Sequence, residues 1–375
     1  MKILFTGGGT AGHILPIIAV AREIRKIYTK DDLKFYYIGP EDEFSSVLLS
    51  QEGISVKKIL AGKIRRYLTF QSFFQNIFDV IFKIPAGIVQ SFFYIFILAP
   101  DILFGKGGYG SIPAVIASWI LRVPVFLHES DVVPGRANRF LSKFAFEIFV
   151  SFPIKRMMHL PPNKLIMVGN PIRRELFEGS IEEAKEYFGL TGEKPVVLIL
   201  GGSQGAQKIN EMLLEILPVL LSEFEIIHQC GEKNFKQIDT EAKIMISGEI
   251  EKYYHLYPFL KEEEMKNAYA ATQIIVSRAG ASSVFEIAAL GKPSILIPLA
   301  GSAQNHQLEN AYIYAENEAC LVIEESNLTP RFFLEKLKFL INHPDEMEKM
   351  RKAALEFSKP QAAKVIAEYI VSYLI

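Results

Sequence analysis

Residues 2–13 read KILFTGGGTAGH, an apolar strand pattern that runs directly into a glycine-rich turn. A helical pattern follows over Ile17–Ile27. The same order recurs later, where the apolar strand Val196–Leu200 leads into the turn Gly201–Gly205 and the helical pattern Asn210–Leu221. A glycine turn between a strand and a helix lets backbone N–H groups approach a ligand at the positive end of the helix. The sequence therefore predicts two nucleotide-binding α/β halves.

Apolar runs rich in Ile, Val and Phe recur between helical patterns in both halves, and such runs predict parallel strands buried on both faces of a sheet. The turn Gly169-Asn170-Pro171 ends the first series, and the helical pattern Ile181–Phe188 precedes the second, so the domain boundary is expected near 165–195. We expect two Rossmann-like domains with the ligand in a cleft between them. The predicted strands are Lys2–Thr6, Lys34–Ile38, Ile102–Phe104, Val123–Leu127, Glu147–Val150, Leu165–Val168, Val196–Leu200, Glu225–His228, Gln273–Val276 and Ser294–Ile297.

Composition narrows the class of protein. The chain has 375 residues, 50% of them hydrophobic and 22% charged, which excludes a disordered or fibrous protein. The net charge of −1 conceals +8 in residues 1–170 and −9 in residues 171–375. The basic half either meets an anionic surface or ligand or reflects uneven surface decoration. Cys230 and Cys320 show neither a disulfide framework nor a metal-ligand spacing, and reduced thiols are expected.

No targeting or membrane-spanning segment is expected. The first residues lack the features of a signal peptide. The longest charge-free stretch, Ile84–Pro100, is shorter than the ~20 residues that a spanning helix needs, and it contains Pro85 and Gly87. The last helical stretch is expected from Ala353 to Leu374.

The first glycine loop carries the main candidate for proton transfer. Gly7–Gly12 satisfies G-x-G-x-x-G, but the acids that a dinucleotide site would need come late, at Glu41 and Asp42, and a plain tight turn is the alternative. His13 lies at the first turn of the following helix, whose N-terminus disfavours the protonated imidazole. A neutral imidazole there can take a proton from a hydroxyl, although a capping or packing histidine is the simpler interpretation.

The second half carries an anion-site pattern. In Gly201–Gly205 the backbone and Ser203 suit a diphosphate, or else form an N-capped turn. A second small-residue loop runs from Ser277 to Glu286, where Glu286 could accept hydrogen bonds from ribose hydroxyls or simply cap its helix. The amide of Gln307 suits sugar hydroxyls, although an amide-rich loop means little alone.

Two further loops of the first half are candidates for the site. His128-Glu129-Ser130-Asp131 follows a predicted buried strand, where ionisable residues tend to line a cleft. Phe104–Ser111 is a third glycine loop; it lacks the Walker A order because Gly107 follows Lys106, but it can still form a phosphate-binding nest.

The segment from Phe70 to Lys83 predicts a helix with a wide apolar stripe. Basic residues lie just upstream of it, a combination that suits the interface of an anionic bilayer, whereas an aromatic stripe is more commonly core. The stripe comprises Phe70, Phe73, Phe74, Ile77, Phe78, Ile81 and Phe82, and the basic residues are Lys57, Lys58, Lys63, Arg65 and Arg66.

Seven motifs in this order resemble the MurG glycosyltransferase family of peptidoglycan synthesis, from the first strand to about residue 311. The resemblance implies an α/β GT-B fold, with an acceptor- and membrane-binding domain at 1–165, a UDP-GlcNAc-binding domain at 166–350 and a C-terminal helix at 351–375 that packs back on the first domain. The motifs are Gly7-Gly8-Gly9-Thr10-Ala11-Gly12-His13, Gly107-Gly108-Tyr109, His128-Glu129, Gly169-Asn170-Pro171-Ile172-Arg173, Gly201-Gly202-Ser203-Gln204-Gly205-Ala206, Arg278-Ala279-Gly280-Ala281, and Gln307 with Asn310-Ala311.

The resemblance also implies the reaction. N-acetylglucosamine (GlcNAc) would pass with inversion from UDP-GlcNAc to the C4 hydroxyl of the N-acetylmuramic acid (MurNAc) sugar of undecaprenyl-diphosphate-linked lipid I, giving lipid II. No metal and no cofactor are implied. The partners would be UDP-GlcNAc, lipid I and an anionic membrane surface. Cell-wall or division proteins could also bind, and no nucleic acid is expected. The enzyme would be peripheral on the cytoplasmic face of the cell membrane.

The resemblance further implies roles for individual residues. His13 would be the base, with Glu129 as second choice. Arg173 would contact the donor diphosphate, Leu260 would offer backbone to uracil, and Gln307 would hold the sugar. The remaining donor contacts would be Thr10, Ala11, Gly12, Asp131, Ser203, Ala281, Ser282, Ser283, Val284, Phe285 and Glu286. The acceptor diphosphate would lie near Gly9, Gly107, Gly108 and Tyr109, and the membrane face would comprise Phe70, Phe73, Phe74, Ile77, Phe78, Lys63, Arg65 and Arg66.

Three motifs depart from the family pattern. Ala11 replaces a glycine of the first loop, Ala279 replaces a serine, and Glu129-Ser130-Asp131 replaces Glu-Gln-Asn. Asp131 accepts hydrogen bonds but donates none unless it is protonated. Three rival classes stay open: another UDP-sugar enzyme of this fold such as a soluble 2-epimerase, a non-catalytic nucleotide-sugar sensor, and a dinucleotide-binding oxidoreductase.

Overall fold

Two α/β units account for the chain in the computed structural model, which describes residues 1–8, 11–63, 70–202 and 205–375. Unit 1 comprises Met1–Arg173 and Lys359–Ile375, and unit 2 comprises Arg174–Ser358. The unit boundaries lie eight residues beyond the positions 165 and 350 at which the sequence placed them.

Unit 1 is built on seven parallel strands in the order β3-β2-β1-β4-β5-β6-β7. In this unit Phe5, Phe104 and Phe126 lie fully buried in the sheet, which is why these apolar runs are central strands. The strands are β1 (Lys2–Thr6), β2 (Lys34–Gly39), β3 (Ser55–Lys58), β4 (Ile102–Gly105), β5 (Val125–Glu129), β6 (Glu147–Val150) and β7 (Leu165–Met167). The helices are α1 (Ala11–Ile27), α2 (Glu43–Gln51), α3 (Phe70–Phe78), α4 (Ile84–Leu98), α5 (Ser111–Ile120) and α6 (Arg136–Leu141).

Unit 2 is built on six parallel strands in the order β10-β9-β8-β11-β12-β13. Ser180 and Thr329 cap α7 and α13 by accepting a backbone N–H, which explains where these helices begin. The strands are β8 (Val196–Leu200), β9 (Glu225–Gln229), β10 (Tyr254–Tyr257), β11 (Ile274–Ser277), β12 (Ser294–Leu296) and β13 (Leu321–Val322). The helices are α7 (Ile181–Phe188), α8 (Gln207–Glu223), α9 (Phe235–Met245), α10 (Glu262–Ala271), α11 (Ala281–Ala289), α12 (His306–Glu316), α13 (Pro330–Asn342) and α14 (Pro344–Phe357). The predicted α/β class with two parallel sheets is confirmed.

The C-terminal part of the chain is two helices rather than the single stretch expected from Ala353 to Leu374. Helix α14 ends at Phe357 in unit 2, and the last helix, α15 (Ala362–Leu374), packs against α1 in unit 1. The break coincides with Pro360, which has no N–H to donate and disfavours helix at the residue before it. Ile366 and Ile370 of α15 are fully buried in the core of unit 1.

The strand order places one ligand crevice in each unit. In unit 1 the chain leaves β1 towards β2 on one side and returns to β4 on the other, so the order reverses between β1 and β4. In unit 2 the same reversal falls between β8 and β11. Ligands of such sheets bind outside the carboxyl ends of the strands at this reversal. The glycine loops after β1, β4, β8 and β11 all lie there.

One helix of the described chain is long and apolar enough to cross a bilayer, judged by length and composition: Phe74–Leu98, 25 residues with a mean hydropathy of 1.8. This helix is longer than the charge-free stretch Ile84–Pro100, because α3 continues through a π-helical turn, Asp79–Lys83, into α4. Asp79 and Lys83 form an ion pair of 2.9 Å along this turn. Gly87 and Ile95 are buried where α4 packs on α5, so the helix lies along unit 1.

Candidate active site

His13 lies at the reversal point of the unit 1 sheet, in the first turn of α1. It is half-buried, and the glycine loops after β1 and β4 close around its ring. A Cβ at Gly8 would lie 3.1 Å from His13 Nδ1, and one at Gly108 would lie 3.2 Å from His13 Nε2. Gly108 has φ +80°, which a side chain would also disfavour. Glycine is therefore required at Gly108 for both conformation and space.

A buried lysine follows β4 in the same crevice. Lys106 is 3% exposed, and its Nζ lies 2.7 Å from Nδ1 of His128 and 3.2 Å from Oδ1 of Asn170. The ammonium also donates to Oγ of Ser130. The other ring nitrogen of His128 lies 3.0 Å from the carbonyl oxygen of Gly169. The network joins the carboxyl ends of β4, β5 and β7.

Glu129, the last residue of β5, organises the turn that follows it. Its carboxylate is 4% exposed and accepts hydrogen bonds from the N–H groups of Asp131 (3.1 Å) and Gly135 (3.0 Å) and from Nδ2 of Asn138 (3.0 Å). These donors occupy both carboxylate oxygens. Glu129 therefore holds the loop that presents Asp131 at the crevice.

The charges of this cluster shift one another's ionisation. Burial, aided by the positive charge of Lys106, lowers the pKa of His13 to about 4, against a smaller opposing effect of Asp131. Burial lowers the pKa of Lys106 to about 7, although Glu129 and Asp131 oppose it. Burial and the charge of Asp131 raise the pKa of Glu129. His13 is consequently neutral at pH 7 and able to accept a proton.

The apolar stripe of α3 and the π-helical turn faces outward. Phe74, Phe78 and Phe82 are 54%, 52% and 58% exposed, whereas the polar residues Ser72 and Asp79 are buried. Of the two interpretations left open by the sequence, the core one is therefore wrong for these residues. Phe70, at 81%, and Ile77, at 38%, are exposed too.

This outward face approaches the third glycine loop. Lys63 is exposed, and its Nζ lies 5.9 Å from the ring centroid of Tyr109. The backbone N–H of Lys63 also donates to Oδ2 of Asp79 at 3.2 Å. The π-helical turn and the Gly107–Tyr109 loop are thus linked through Lys63.

In unit 2 the glycine loop after β8 leads into α8. All residues in the first turn of α8 are among the described residues, and none of them is acidic. Gly202 and Gly205 have φ +77° and +78°. A Cβ at Gly205 would overlap the carbonyl oxygen of Cys230 and the amide of Asn234. Only glycine fits at this position, because it has no side chain to overlap these atoms. The loop backbone can therefore pass close to them as it enters the N-terminus of α8.

Helix α11 begins at Ala281, so the loop after β11 also ends at a helix N-terminus. Ser282 and Ser283 are half-buried in its first turn. Glu286 is half-buried one turn further on, and its Oε2 accepts a 3.0 Å hydrogen bond from the hydroxyl of Tyr269. Val284 and Phe285 point into the core, so of these two predicted donor contacts only the backbone could face a ligand.

Gln307 lies at the start of α12, at the end of the loop that precedes this helix. The loop turns sharply at Gln304 (φ 58°) and Asn305 (φ 55°), which both have left-handed backbone conformations. Its Oε1 accepts from the N–H of Leu299 at 3.0 Å. The amide nitrogen of Gln307 is the group that remains for a sugar hydroxyl.

A buried acid in the turn after β13 supports this loop. Glu325, with a side chain 4% exposed, binds Arg278 and accepts a 3.2 Å hydrogen bond from the N–H of Ala300. Arg278 in turn donates to the carbonyl oxygen of Ile297 at 3.1 Å. The loops after β11 and β12 are therefore tied together by one ion pair.

The remaining predicted contacts are placed as follows. Leu260 is buried, and its N–H donates to Oε1 of Gln229 at 3.1 Å, so a uracil contact there would use the carbonyl oxygen. Arg173 is buried at the last residue of the first segment of unit 1, and Gly12 is exposed at the start of α1. Gly9, Thr10, Arg65, Arg66 and Ser203 lie outside the described residues, as do the side chains of Ala11 and Phe73.

The sequence assigned no individual role to five residues of these sites, although Asn170 lies within a motif named above: Lys106 as a network centre, Asn138, Asn170, Tyr269 and Glu325. Their partners are 22 to 64 residues away for Lys106 and 47 residues away for Glu325. No local pattern signals such pairs. The position of Lys106 directly after a buried strand was the one available hint.

Comparison with known protein families identifies the class of enzyme to which the chain belongs. The model described as glycosyltransferase family 28 N-terminal domain matches residues 3–150, and that of the C-terminal domain matches residues 196–366. The chain resembles the UDP-N-acetylglucosamine–N-acetylmuramyl-(pentapeptide) pyrophosphoryl-undecaprenol N-acetylglucosamine transferase 2 of Bacillus cereus, with 36% identity over 98% of this chain and 99% of that one. The corresponding Clostridium tetani transferase is also 36% identical, over 94% of this chain and 93% of that one.

Solved structures agree with this class. The crystal structure of Acinetobacter baumannii MurG is 25% identical over 99% of both chains, with a TM-score of 0.72. A UDP-GlcNAc 2-epimerase from Neisseria meningitidis, 17% identical over 99% of this chain and 100% of that one, shares the fold with a TM-score of 0.67. The chain belongs to the MurG family of N-acetylglucosaminyltransferases within glycosyltransferase family 28. The resemblance seen in the sequence is thereby confirmed.

Proposed function

We propose that the chain transfers GlcNAc from UDP-GlcNAc to the C4 hydroxyl of MurNAc in lipid I, undecaprenyl-diphosphate-MurNAc-pentapeptide, and so forms lipid II. The names of the relatives give the two substrates. The observation within the chain that carries the proposal is the neutral, half-buried imidazole of His13 among the glycine loops of a unit with an outward apolar helix.

His13 is the general base in this proposal. It is neutral at pH 7 and lies among backbone loops that a sugar diphosphate can approach. Glu129 suits the role less, because it is buried and both its oxygens accept hydrogen bonds from its own turn. A bound diphosphate would raise the basicity of His13, since a nearby negative charge favours the imidazolium ion.

The acceptor diphosphate is assigned to the loops around His13. Gly107 and Gly108 both have φ +80°, and successive backbone N–H groups in such turns form an anion-binding nest. Tyr109 belongs to this loop, and the ammonium of Lys63 lies over its ring, towards the apolar helix. The undecaprenyl chain would then leave along that face.

The donor is assigned to unit 2. The N-termini of α8 and α11 would neutralise the charge that develops on the departing UDP diphosphate, and Ser282 and Ser283 would add donors. Glu286, held by Tyr269, would accept from the ribose hydroxyls, and the amide nitrogen of Gln307 would bind the sugar. Because these dipoles supply the stabilisation, the proposal expects no dependence on an added metal or cofactor.

The outward stripe of α3 is assigned to an anionic membrane surface at the cytoplasmic face. Apolar side chains exposed at 38–81% on one helix gain free energy on entering the acyl boundary. Lys63 lies beside them, where an ammonium meets lipid phosphates. The enzyme would therefore be peripheral, meeting its lipid acceptor at the surface.

The test combines purified protein, radiolabelled UDP-GlcNAc and a short-chain lipid I analogue, with and without EDTA. The proposal expects a labelled disaccharide-lipid product, with the new linkage inverted, at equal rates in both arms. Conversion of UDP-GlcNAc into a free 2-epimer without acceptor would instead assign the chain to the epimerases that share its fold. Binding without turnover of either kind would make it a sensor.

A further inference from the structure

The buried ammonium of Lys106 is hydrogen-bonded as a charged group would be. Three acceptors surround it: Nδ1 of His128 at 2.7 Å, Oδ1 of Asn170 at 3.2 Å and Oγ of Ser130. Nε2 of His128 lies 3.0 Å from the carbonyl oxygen of Gly169, an acceptor, so its proton resides on Nε2 and Nδ1 accepts from Lys106. Three acceptors match the three protons of an ammonium group. The geometry therefore favours a protonated Lys106.

Lys106 and the proposed base both pack against the glycine loop after β1. A Cβ at Gly7 would lie 3.3 Å from Cβ of His13 and 3.7 Å from Cβ of Lys106, so the two side chains begin on either side of this glycine. Glu129 and Asp131 bring negative charge from β5 and the loop after it. The other titratable groups facing the cluster are Tyr37, whose hydroxyl donates to the carbonyl oxygen of Gly7 at 3.1 Å, and Tyr109 on the loop after β4.

The buried ammonium of Lys106 is not placed to contact a ligand directly. It is 3% exposed, and the network holds its nitrogen among side chains of β5 and the loops after β5 and β7. Whatever it contributes to the reaction passes through its neighbours, by holding the strand ends and by its charge. A charge buried this close is felt strongly because little water screens it.

We propose that Lys106 is a positioning residue of the acceptor site, whose ammonium ties the ends of β4, β5 and β7 and whose charge keeps His13 unprotonated. This inference rests on the proposed function, in which His13 must accept a proton. It is consistent with the direction in which Lys106 moves the pKa of His13, which is downward. Replacing the ammonium by a neutral group would therefore make His13 more basic.

The primary test reads the ionisation of His13 without any substrate. Selective ¹⁵N-histidine labelling follows the imidazole of His13 through a pH titration in the wild type and in Lys106→Met and Lys106→Gln. The glutamine variant keeps a donor for Nδ1 of His128 while removing the charge, and so separates charge from hydrogen bonding. We expect the pKa of His13 to rise by about one unit in both variants.

A matched control and an opposite-sign variant sharpen the result. Lys164 also binds several groups of unit 1, including the carbonyl oxygens of Ser142 and Ala145, but lies outside the cluster. Lys164→Met should leave the titration of His13 unchanged. Asp131→Asn removes a negative charge, so it should lower the pKa of His13, and it tests the same electrostatics should both Lys106 variants fail to fold.

The transfer reaction gives the second readout. In the Lys106 variants the acid limb of kcat/KM should move to higher pH by the same amount as the pKa of His13, with the KM for UDP-GlcNAc unchanged. A titration of His13 that is unmoved in the Lys106 variants overturns the proposal, whatever happens to the rate. If the wild type shows no transfer, the proposed function fails, but the titration still decides the role of Lys106.

Discussion

The hydroxyl of Tyr269, on α10, donates a 3.0 Å hydrogen bond to Oε2 of Glu286, one turn into α11. Tyr269 is 1% exposed, so its hydroxyl is a fixed donor from inside unit 2. The bond aims a half-buried carboxylate at the end of the sheet where the ribose is assigned. Glu286 is thus oriented by a residue that no sequence motif indicated.

Tyr269→Phe should weaken donor binding without slowing the chemical step. Loss of a bond that orients a carboxylate costs about 1 kcal/mol, or roughly a fivefold rise in the KM for UDP-GlcNAc. Tyr314→Phe is the matched control, because Tyr314 is fully buried in the same unit and its hydroxyl has no hydrogen-bond partner among the described residues. Steady-state kinetics over a UDP-GlcNAc series would measure both. An unchanged KM in Tyr269→Phe would remove Glu286 from the ribose site.

Gly108→Ala should disable the acceptor site. The substitution incurs the left-handed strain of φ +80°, about 1–2 kcal/mol, and puts a methyl group 3.2 Å from Nε2 of His13. Displacement of a catalytic group by about 1 Å costs up to roughly 10²-fold in rate. Gly189→Ala is the control, with φ +69° but open space around it. Denaturant midpoints should fall similarly in both variants, and only Gly108→Ala should lose turnover; equal activity would contradict the site.

Phe78 and Phe82 should govern membrane attachment. Both side chains are more than half exposed on one face of unit 1, and burying each in lipid is worth about 1.5–3 kcal/mol. Each Phe→Ser change should therefore weaken binding to phosphatidylglycerol vesicles by roughly tenfold or more. Turnover of a soluble short-chain acceptor should be unaffected.

The vesicle measurement has its control in unit 2. Ile244 is 79% exposed on α9, far more open than either phenylalanine, so Ile244→Ser removes a comparable exposed apolar side chain elsewhere. Flotation should not change in that variant. If both phenylalanine variants float as well as the wild type, the membrane lies against another face.

The sequence predicted the central strands and the edge strand β7 but missed the other three edge strands, for one physical reason. β1, β4 and β8 are buried on both faces, so they read as unbroken apolar runs. β3, β10 and β13 lie at sheet edges, and their residues are half-buried or exposed, so no apolar run marks them. Which way an apolar helical stripe faces is likewise absent from the pattern. The buried Ser72 and Asp79 show that α3 turns its polar side inward.

Candidate site residues were predicted where backbone chemistry marks them and missed where only tertiary contacts do. Gly108 and Gly205 could be found because glycine loops follow strands. The network around Lys106 joins residues up to 64 positions apart, and the ion pair of Glu325 joins residues 47 apart. These residues do not contact one another until the sheets form, so their roles follow from topology alone.

Acid should destabilise the fold through its buried histidines. Burial lowers the pKa of His228 to about 3, while its ring bonds Tyr254 and Asn210. Unfolded histidine titrates near 6.5, so between that pH and about 3 only the unfolded chain binds this proton. The contribution of His228 to the free energy of unfolding should be flat above pH 6.5 and fall below it, by up to about 1.4 kcal/mol per pH unit.

Urea unfolding followed by circular dichroism from pH 8 to 5 would measure this slope. His228→Gln removes one titrating group and should flatten the slope below pH 6.5, whatever its stability at pH 8. His343, exposed at the start of α14, provides the matched His→Gln control, because its replacement leaves the buried ring of His228 in place. A slope identical in His228→Gln and the wild type would mean that His228 is protonated in the fold.

His13→Ala should abolish transfer while the chain still binds UDP-GlcNAc. Loss of a general base typically costs about 10²–10⁴-fold in kcat, and His13 belongs to unit 1, whereas the donor residues at α8 and α11 belong to unit 2. Isothermal titration with UDP-GlcNAc should therefore give the wild-type Kd. Near-wild-type turnover in His13→Ala would show that another group is the general base.

The pH dependence distinguishes a base from a mere contact. Because the pKa of His13 is lowered to about 4, the wild-type kcat/KM should stay level from pH 7 downward and fall only as the pH approaches that value. In the complex, the acceptor diphosphate favours the imidazolium ion, so the acid limb of kcat should lie at higher pH than that of kcat/KM. His13→Gln should remove both limbs along with most of the rate. If the acid limbs persist in His13→Gln, the proton of the acceptor hydroxyl would be accepted by a carboxylate, that of Glu129 or Asp131.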